Sequence, residues 1–140
     1  MNLLKCLLIV ALLFSAVPSF AAEPFTPTTG ATSGKTIKLT TNGSTSVAGN
    51  IDCTLAPANN IRIVNAGTNA AGGDPGTGVT VFVRITAEAT PTATAADIPI
   101  SPGTSIIVQN PVASGKSGIA VVSTGTTNVD VFFTPGEGGI

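Results

Sequence analysis

The stretch Val79-Thr80-Val81-Phe82-Val83-Arg84-Ile85-Thr86 sets an aliphatic residue at every second position without a break. A two-residue period puts those aliphatics on one side of an extended backbone, whereas a helix would scatter them around its circumference. The segment is therefore predicted to be a strand with one buried face. The same alternation recurs where Ile37 and Leu39 face away from Lys38 and Thr40, where Ile61 and Ile63 oppose Arg62 and Val64, and where Val129, Val131 and Phe133 point inward over the stretch from Val129 to Thr134. Ile119, Ala120, Val121 and Val122 are apolar on both faces, which suits a central strand. Pro99 donates no ladder hydrogen bond and demotes its short strand to an edge.

Turn formers separate these runs. Asn42-Gly43 tolerates positive φ and predicts a two-residue hairpin, and Pro102-Gly103 predicts a second turn. Seven or eight short strands with no helical period predict an all-β fold, an antiparallel β-sandwich or jelly roll. The last apolar run is followed only by a Gly-rich stub, so it is expected to pair inside a sheet.

Organisation along the chain follows from composition. Lys5, the apolar run from Cys6 to Phe14, and the small residues Ser19 and Ala21 predict a secretory leader over 1–21, cut after Ala21. Its apolar run is about half of the roughly 20 residues a membrane-spanning helix needs, so no membrane association is expected after cleavage. Residues 22–35, rich in Pro, Thr and Gly, are expected to form an arm that is mobile unless a partner holds it. Residues 36–140 are expected to fold as one sandwich domain, with the run of turn formers over 65–78 projecting as a loop. Cys53 is the sole cysteine left after the leader; because Ile51, Cys53 and Leu55 alternate with Asp52 and Thr54, it is predicted to be a buried thiol rather than an interchain bridge.

Chemistry is sparse. No histidine occurs, which excludes the usual proton shuttle and any Ser-His or Cys-His pair. Asp52, Asp74, Glu88, Asp97, Asp130 and Glu137 are scattered among turns, where carboxylates cap the local backbone, so no catalytic residue is assigned and no enzyme is expected. The run GGDPGTGVT has the glycine spacing of a phosphate loop, but Val79-Thr80 stands where Lys and Ser/Thr are needed. A calcium loop would have only Asp74, and one cysteine without histidine makes no zinc site, so neither a metal nor a cofactor is expected. Asn42-Gly43-Ser44 fits a glycan acceptor pattern, but the turn already accounts for it. Six basic residues against seven acidic ones leave no basic face for nucleic acid. What remains as a candidate interaction surface is Asn69, Asp74 and Thr77 on the long loop, together with Arg62, Arg84 and Phe82 on the outward faces of their strands.

Residues PFTPTTGAT, IRIVNAGTN with VFVRIT, ADIPISPGT and the terminal VDVFFTPGEGG together resemble small β-sandwich proteins associated with the virions of tailed bacteriophages. The likeness spans most of the chain after the leader and rests on strand-and-turn patterns. The chain departs from that family in its leader and in the longer segment over 69–78. The resemblance implies a non-enzymatic structural part, such as a head-decorating protein, binding a capsid or other virion protein and located on the virion. The expected function is accordingly an exported structural or interaction module that binds a protein surface or self-associates. The alternative is a periplasmic or extracellular module for carbohydrate or another surface ligand, with Phe82 and Phe132 as the outward aromatic platforms.

Overall fold

The strand β9 (Val129–Glu137) is the spine of one layer. In this computed structural model, which describes residues 23–28, 30, 33–68 and 78–139, β9 pairs antiparallel on one side with β4 (Asn60–Thr68). On its other side it pairs first with β2 (Ile37–Thr41) and then with β1 (Thr26–Pro27), and β7 (Ser105–Gln109) lies beyond β4. The second layer runs β3 (Val47–Asp52), β8 (Lys116–Ser123), β5 (Val81–Thr86) and β6 (Ile98–Ile100). The protein is thus an all-β sandwich of two antiparallel sheets, with five and four strands and no helix among the described residues.

The alternating residues meet between the layers. Ile61, Ile63, Val131 and Phe133 from one sheet, and Ile51, Val81, Val83, Ile119 and Val121 from the other, are wholly buried in one cluster. Each such side chain contributes about 1.5–3 kcal/mol relative to an exposed position, which is what offsets the entropy of ordering the chain. The central place of β8 and the edge place of Pro99-bearing β6 agree with the sequence. Cys53 is a free, buried thiol, its pKa pushed up by burial.

Connections depart from the sequence reading. Asn42-Gly43 does not close a hairpin, because β2 belongs to one sheet and β3 to the other. Residues 42–46 cross between layers instead. The reason is a stronger remote partner: β2 is zipped along β9 from Ile37↔Phe133 to Thr41↔Val129, which leaves β3 to pair with β8. Gly43 still takes a positive φ of 83°, its N–H donating to Ser123 Oγ (3.0 Å) and its carbonyl accepting from the Ser123 N–H (3.2 Å). The Pro102-Gly103 turn likewise links β6 to β7 across the sandwich.

Two buried amides tie other segments of the two layers together. Asn65 sits beside an irregularity in the β4–β9 register; its Nδ2 donates to the carbonyls of Val79 (3.1 Å) and Ile100 (3.0 Å), and its Oδ1 accepts from the Gly67 N–H (3.0 Å). Asn110 donates to the Ala58 carbonyl (2.8 Å) and accepts from the Ser117 hydroxyl. Most buried polar groups in folded proteins are partnered in this way.

The arm is tied down rather than loose over its described residues. Thr26 and Pro27 pair with Glu137 and Gly136, and both the N–H and the hydroxyl of Thr28 donate to the Pro135 carbonyl, at 3.0 and 3.2 Å. β9 therefore runs past Thr134, the expected end. Pro135 is tolerated because its carbonyl, and with it its donorless nitrogen, faces the place where β1 gives way to β2. The Gly-rich stub serves as the bed for the arm: a Cβ at Gly136 would come within 2.5 Å of the Phe25 ring, and the Gly139 N–H donates to the Glu23 carbonyl (2.7 Å). Ser33, also buried, donates to the Asp52 carbonyl (2.9 Å) and accepts from the N–H groups of Leu55 and Ala56. That bend breaks the alternation after Cys53, so Leu55 is 80% exposed instead of sharing the buried face. β4 runs on through Thr68, where its irregular pairing with β9 continues, so the first four residues of the expected loop are strand; the leader and residues 69–77 lie outside the described residues.

Candidate functional site

The outward face of the four-stranded sheet is not open β surface. Phe82 and Arg84 of β5 stand beside Val122 and Ala120 of β8, with Gly118 opposite Thr86. Residues 87–97, which join β5 to β6, fold back over this face instead of forming a tight hairpin. The small residues of β8 make room: a Cβ at Gly118 would overlap the Glu88 carbonyl oxygen and approach the Pro91 ring to 2.7 Å. Ala93 is buried against Ala120, Val122 and Phe82 in a second, smaller apolar cluster. The double-sided apolarity of β8 thus has two causes, the main core on one side and this connection on the other.

Asp97 fastens the connection. Its Oδ2 accepts from the Thr94 N–H (2.7 Å) and hydroxyl (3.1 Å), and its Oδ1 accepts from Arg84 Nε (2.9 Å). The Thr94 amide, assisted by Arg84 and the Thr94 hydroxyl, holds this carboxyl below the ordinary carboxylate range. Thr94 is fixed in turn, and it faces a cleft.

That cleft, about 570 Å³, opens where the connection stops short of the strand ends. Phe82, Val122, Ala93 and Ala95 form its apolar part; the hydroxyl-bearing residues Ser44, Ser46, Thr92, Thr94, Ser123 and Thr124 complete its lining. Three of these hydroxyls are structural: Ser46 Oγ accepts from the Ala93 N–H (2.8 Å), Thr94 is held by Asp97, and Ser123 Oγ accepts from Gly43 and donates to the Gly125 carbonyl (3.2 Å). The Ser46–Ala93 bond joins the interlayer crossing to the β5–β6 connection and so sets the width between them. Ser44, Thr92 and Thr124 are exposed and make no hydrogen bond among the described residues. Among the described residues no ionisable side chain lines the cleft.

The structure separates the residues singled out from the sequence. Phe82 lies in the cleft, and Arg84 stands on the same face but is engaged by Asp97. Arg62 projects from β4 on the outer side of the five-stranded sheet, so the two arginines belong to opposite faces of the sandwich. Phe132 is on that side as well, between Lys38 and Val64. Asn69, Asp74 and Thr77 lie outside the described residues. Sequence reasoning placed Asp97 as a backbone cap, as found, but missed Ser44, Ser46, Thr92, Ala93, Thr94, Val122 and Thr124 as site residues; the small residues at outward positions Gly118 and Ala120 were the signal that something covers β8. Among the described residues no three of His, Cys, Asp and Glu cluster closely enough for a metal ion.

No family model matches the chain, and no curated protein matches it either. Among solved structures it is similar to the solution NMR structure of a de novo designed double-stranded beta-helix, with 16% identity, over 74% of this chain and 99% of that one, at a TM-score of 0.40. A likeness that distant carries no argument about function.

Proposed function

We propose that the protein is an exported, non-enzymatic binding module whose ligand occupies the cleft beside Phe82. The observation that carries this reading is the cleft itself: an apolar base, a hydroxyl rim and walls already hydrogen-bonded in place. Its volume falls within the roughly 300–1,000 Å³ of small-ligand sites. The one rim hydroxyl with a carboxylate beside it is that of Thr94, and Asp97 is already engaged there by the Thr94 amide and Arg84, so the arrangement suits holding a ligand rather than transforming it. Export rests on the leader over 1–21, and N-terminal sequencing of the secreted product is expected to begin at Ala22. A small-fragment screen followed by amide chemical shifts is expected to move Phe82, Ala93, Thr94 and Val122 together. Fragments that move only residues on the five-stranded sheet would refute the assignment.

A second reading, association with a protein surface or a second copy as the virion resemblance implies, is favoured by β3. This six-residue strand lies at a sheet edge with Ala48 and Asn50 exposed and a charge only at Asp52. Edges so lightly guarded are templates for strand addition. Light scattering after size exclusion is expected to show an oligomer that Asn50→Lys dissociates; a monomer at all concentrations removes this reading.

A further inference from the structure

We infer that the cleft receives a neutral sugar ring, stacked on Phe82, with its hydroxyls met by Ser44, Thr92 and Thr124; this rests on the cleft being the binding site proposed for the module. A pyranose has two unlike surfaces, a C–H face that packs on the negative face of an aromatic ring and an edge of hydroxyls that must each donate and accept. The cleft offers the complement, with Phe82 and Val122 at its base and hydroxyls, themselves both donors and acceptors, at its rim. The three rim hydroxyls without a partner among the described residues are the ones available to a ligand.

Other occupants fit less well on the same observations. An anionic group would require a cation, but the lining holds none and Arg84 is bound to Asp97 at 2.9 Å. An acyl chain would strip water from the hydroxyl rim and return no hydrogen bonds. An extended peptide adds to a free sheet edge, whereas the base of the cleft belongs to β5 and β8, each paired on both sides. The walls need no rearrangement, because Ser46 clasps Ala93 and Asp97 fixes Thr94, which lowers the ordering cost of binding.

The test uses isotope-labelled protein expressed from the full coding sequence, probed with an array of neutral and acidic glycans and then titrated with the best neutral oligosaccharide, sodium dodecanoate and inorganic phosphate separately. The expected result is saturable movement of the Phe82, Ala93 and Val122 amides by the neutral oligosaccharide only. Phe82→Ala should weaken binding by about tenfold or more, Phe82→Trp should preserve it, and the paired surface changes Ser44→Ala and Thr124→Ala should weaken it with the spectrum otherwise unchanged. Movement of the same amides by dodecanoate, phosphate or acidic glycans alone would overturn the sugar assignment and leave the cleft as a site for another class. Silence of these amides toward every probe would overturn both.

Discussion

Asn65 shows how much one side chain decides. Its amide is wholly buried, and from within β4 it satisfies two carbonyls, one just before β5 begins and one where β6 ends, and one N–H. Asn65→Ala should strand these groups at about 1–3 kcal/mol each, partly relieved by entering water, so a net loss of about 3 kcal/mol is expected in urea unfolding. Asn65→Asp should be no better, because it turns an oxygen toward both carbonyls. In the sequence this residue reads as the start of a loop in IVNAGT, since a polar residue after a strand looks like a turn whether or not it is buried. Gly118 is similar. Gly118→Val would drive its side chain into the Glu88 carbonyl, so the 87–97 connection should lift and the Ala93 and Thr94 resonances shift, with a stability loss of about 1–3 kcal/mol.

Strands were far more legible than the links between them. The inward sets of β2, β4, β5 and β9 follow directly from period-two alternation, because each side chain's face is fixed by its own parity. Whether a turn closes a hairpin or crosses the sandwich is decided elsewhere, and here β9, distant in sequence, captures β2. The pairing of the arm is illegible for the same reason: Thr26 and Pro27 have no strand pattern of their own, and only the glycines of β9 and its stub give them a place. Phe25→Ala should loosen that place selectively. Hydrogen exchange is expected to quicken at the amides of Thr28 and Gly139, which bond to Pro135 and Glu23, while Ile63 and Phe133 in the core stay protected.

The cleft was half legible for the molecule as a whole, since Phe82 was recognised as an outward aromatic but its walls come from three separate stretches that meet only after both layers close. Two carboxylates couple that closure to pH. Asp97 is held low chiefly by the Thr94 amide, and Asp52 by the Thr54 N–H (2.9 Å), with its hydroxyl and Lys116 assisting. Between these depressed values and the unfolded value near 3.9, the unfolded chain carries protons that the folded one does not, so the contribution is complete above about pH 4 and is lost as acid titrates the folded groups. Urea midpoints should therefore drop from pH 6 to pH 3. Asp97→Asn should begin from a lower midpoint and drop less; an equal drop in both proteins would count against Asp97 as a source.

The arm and the cleft lie at opposite poles. β9 begins at Val129, beside Thr41 and near the Gly43 crossing, and ends at Glu137 beside Thr26, a span of roughly 30 Å for nine extended residues. Glu23 and Gly139, bonded to each other, mark the far pole. Cargo or anchor joined through either residue would hang behind the molecule and leave its mouth unobstructed, so a reporter fused there should neither shade Phe82 nor compete for what settles on it.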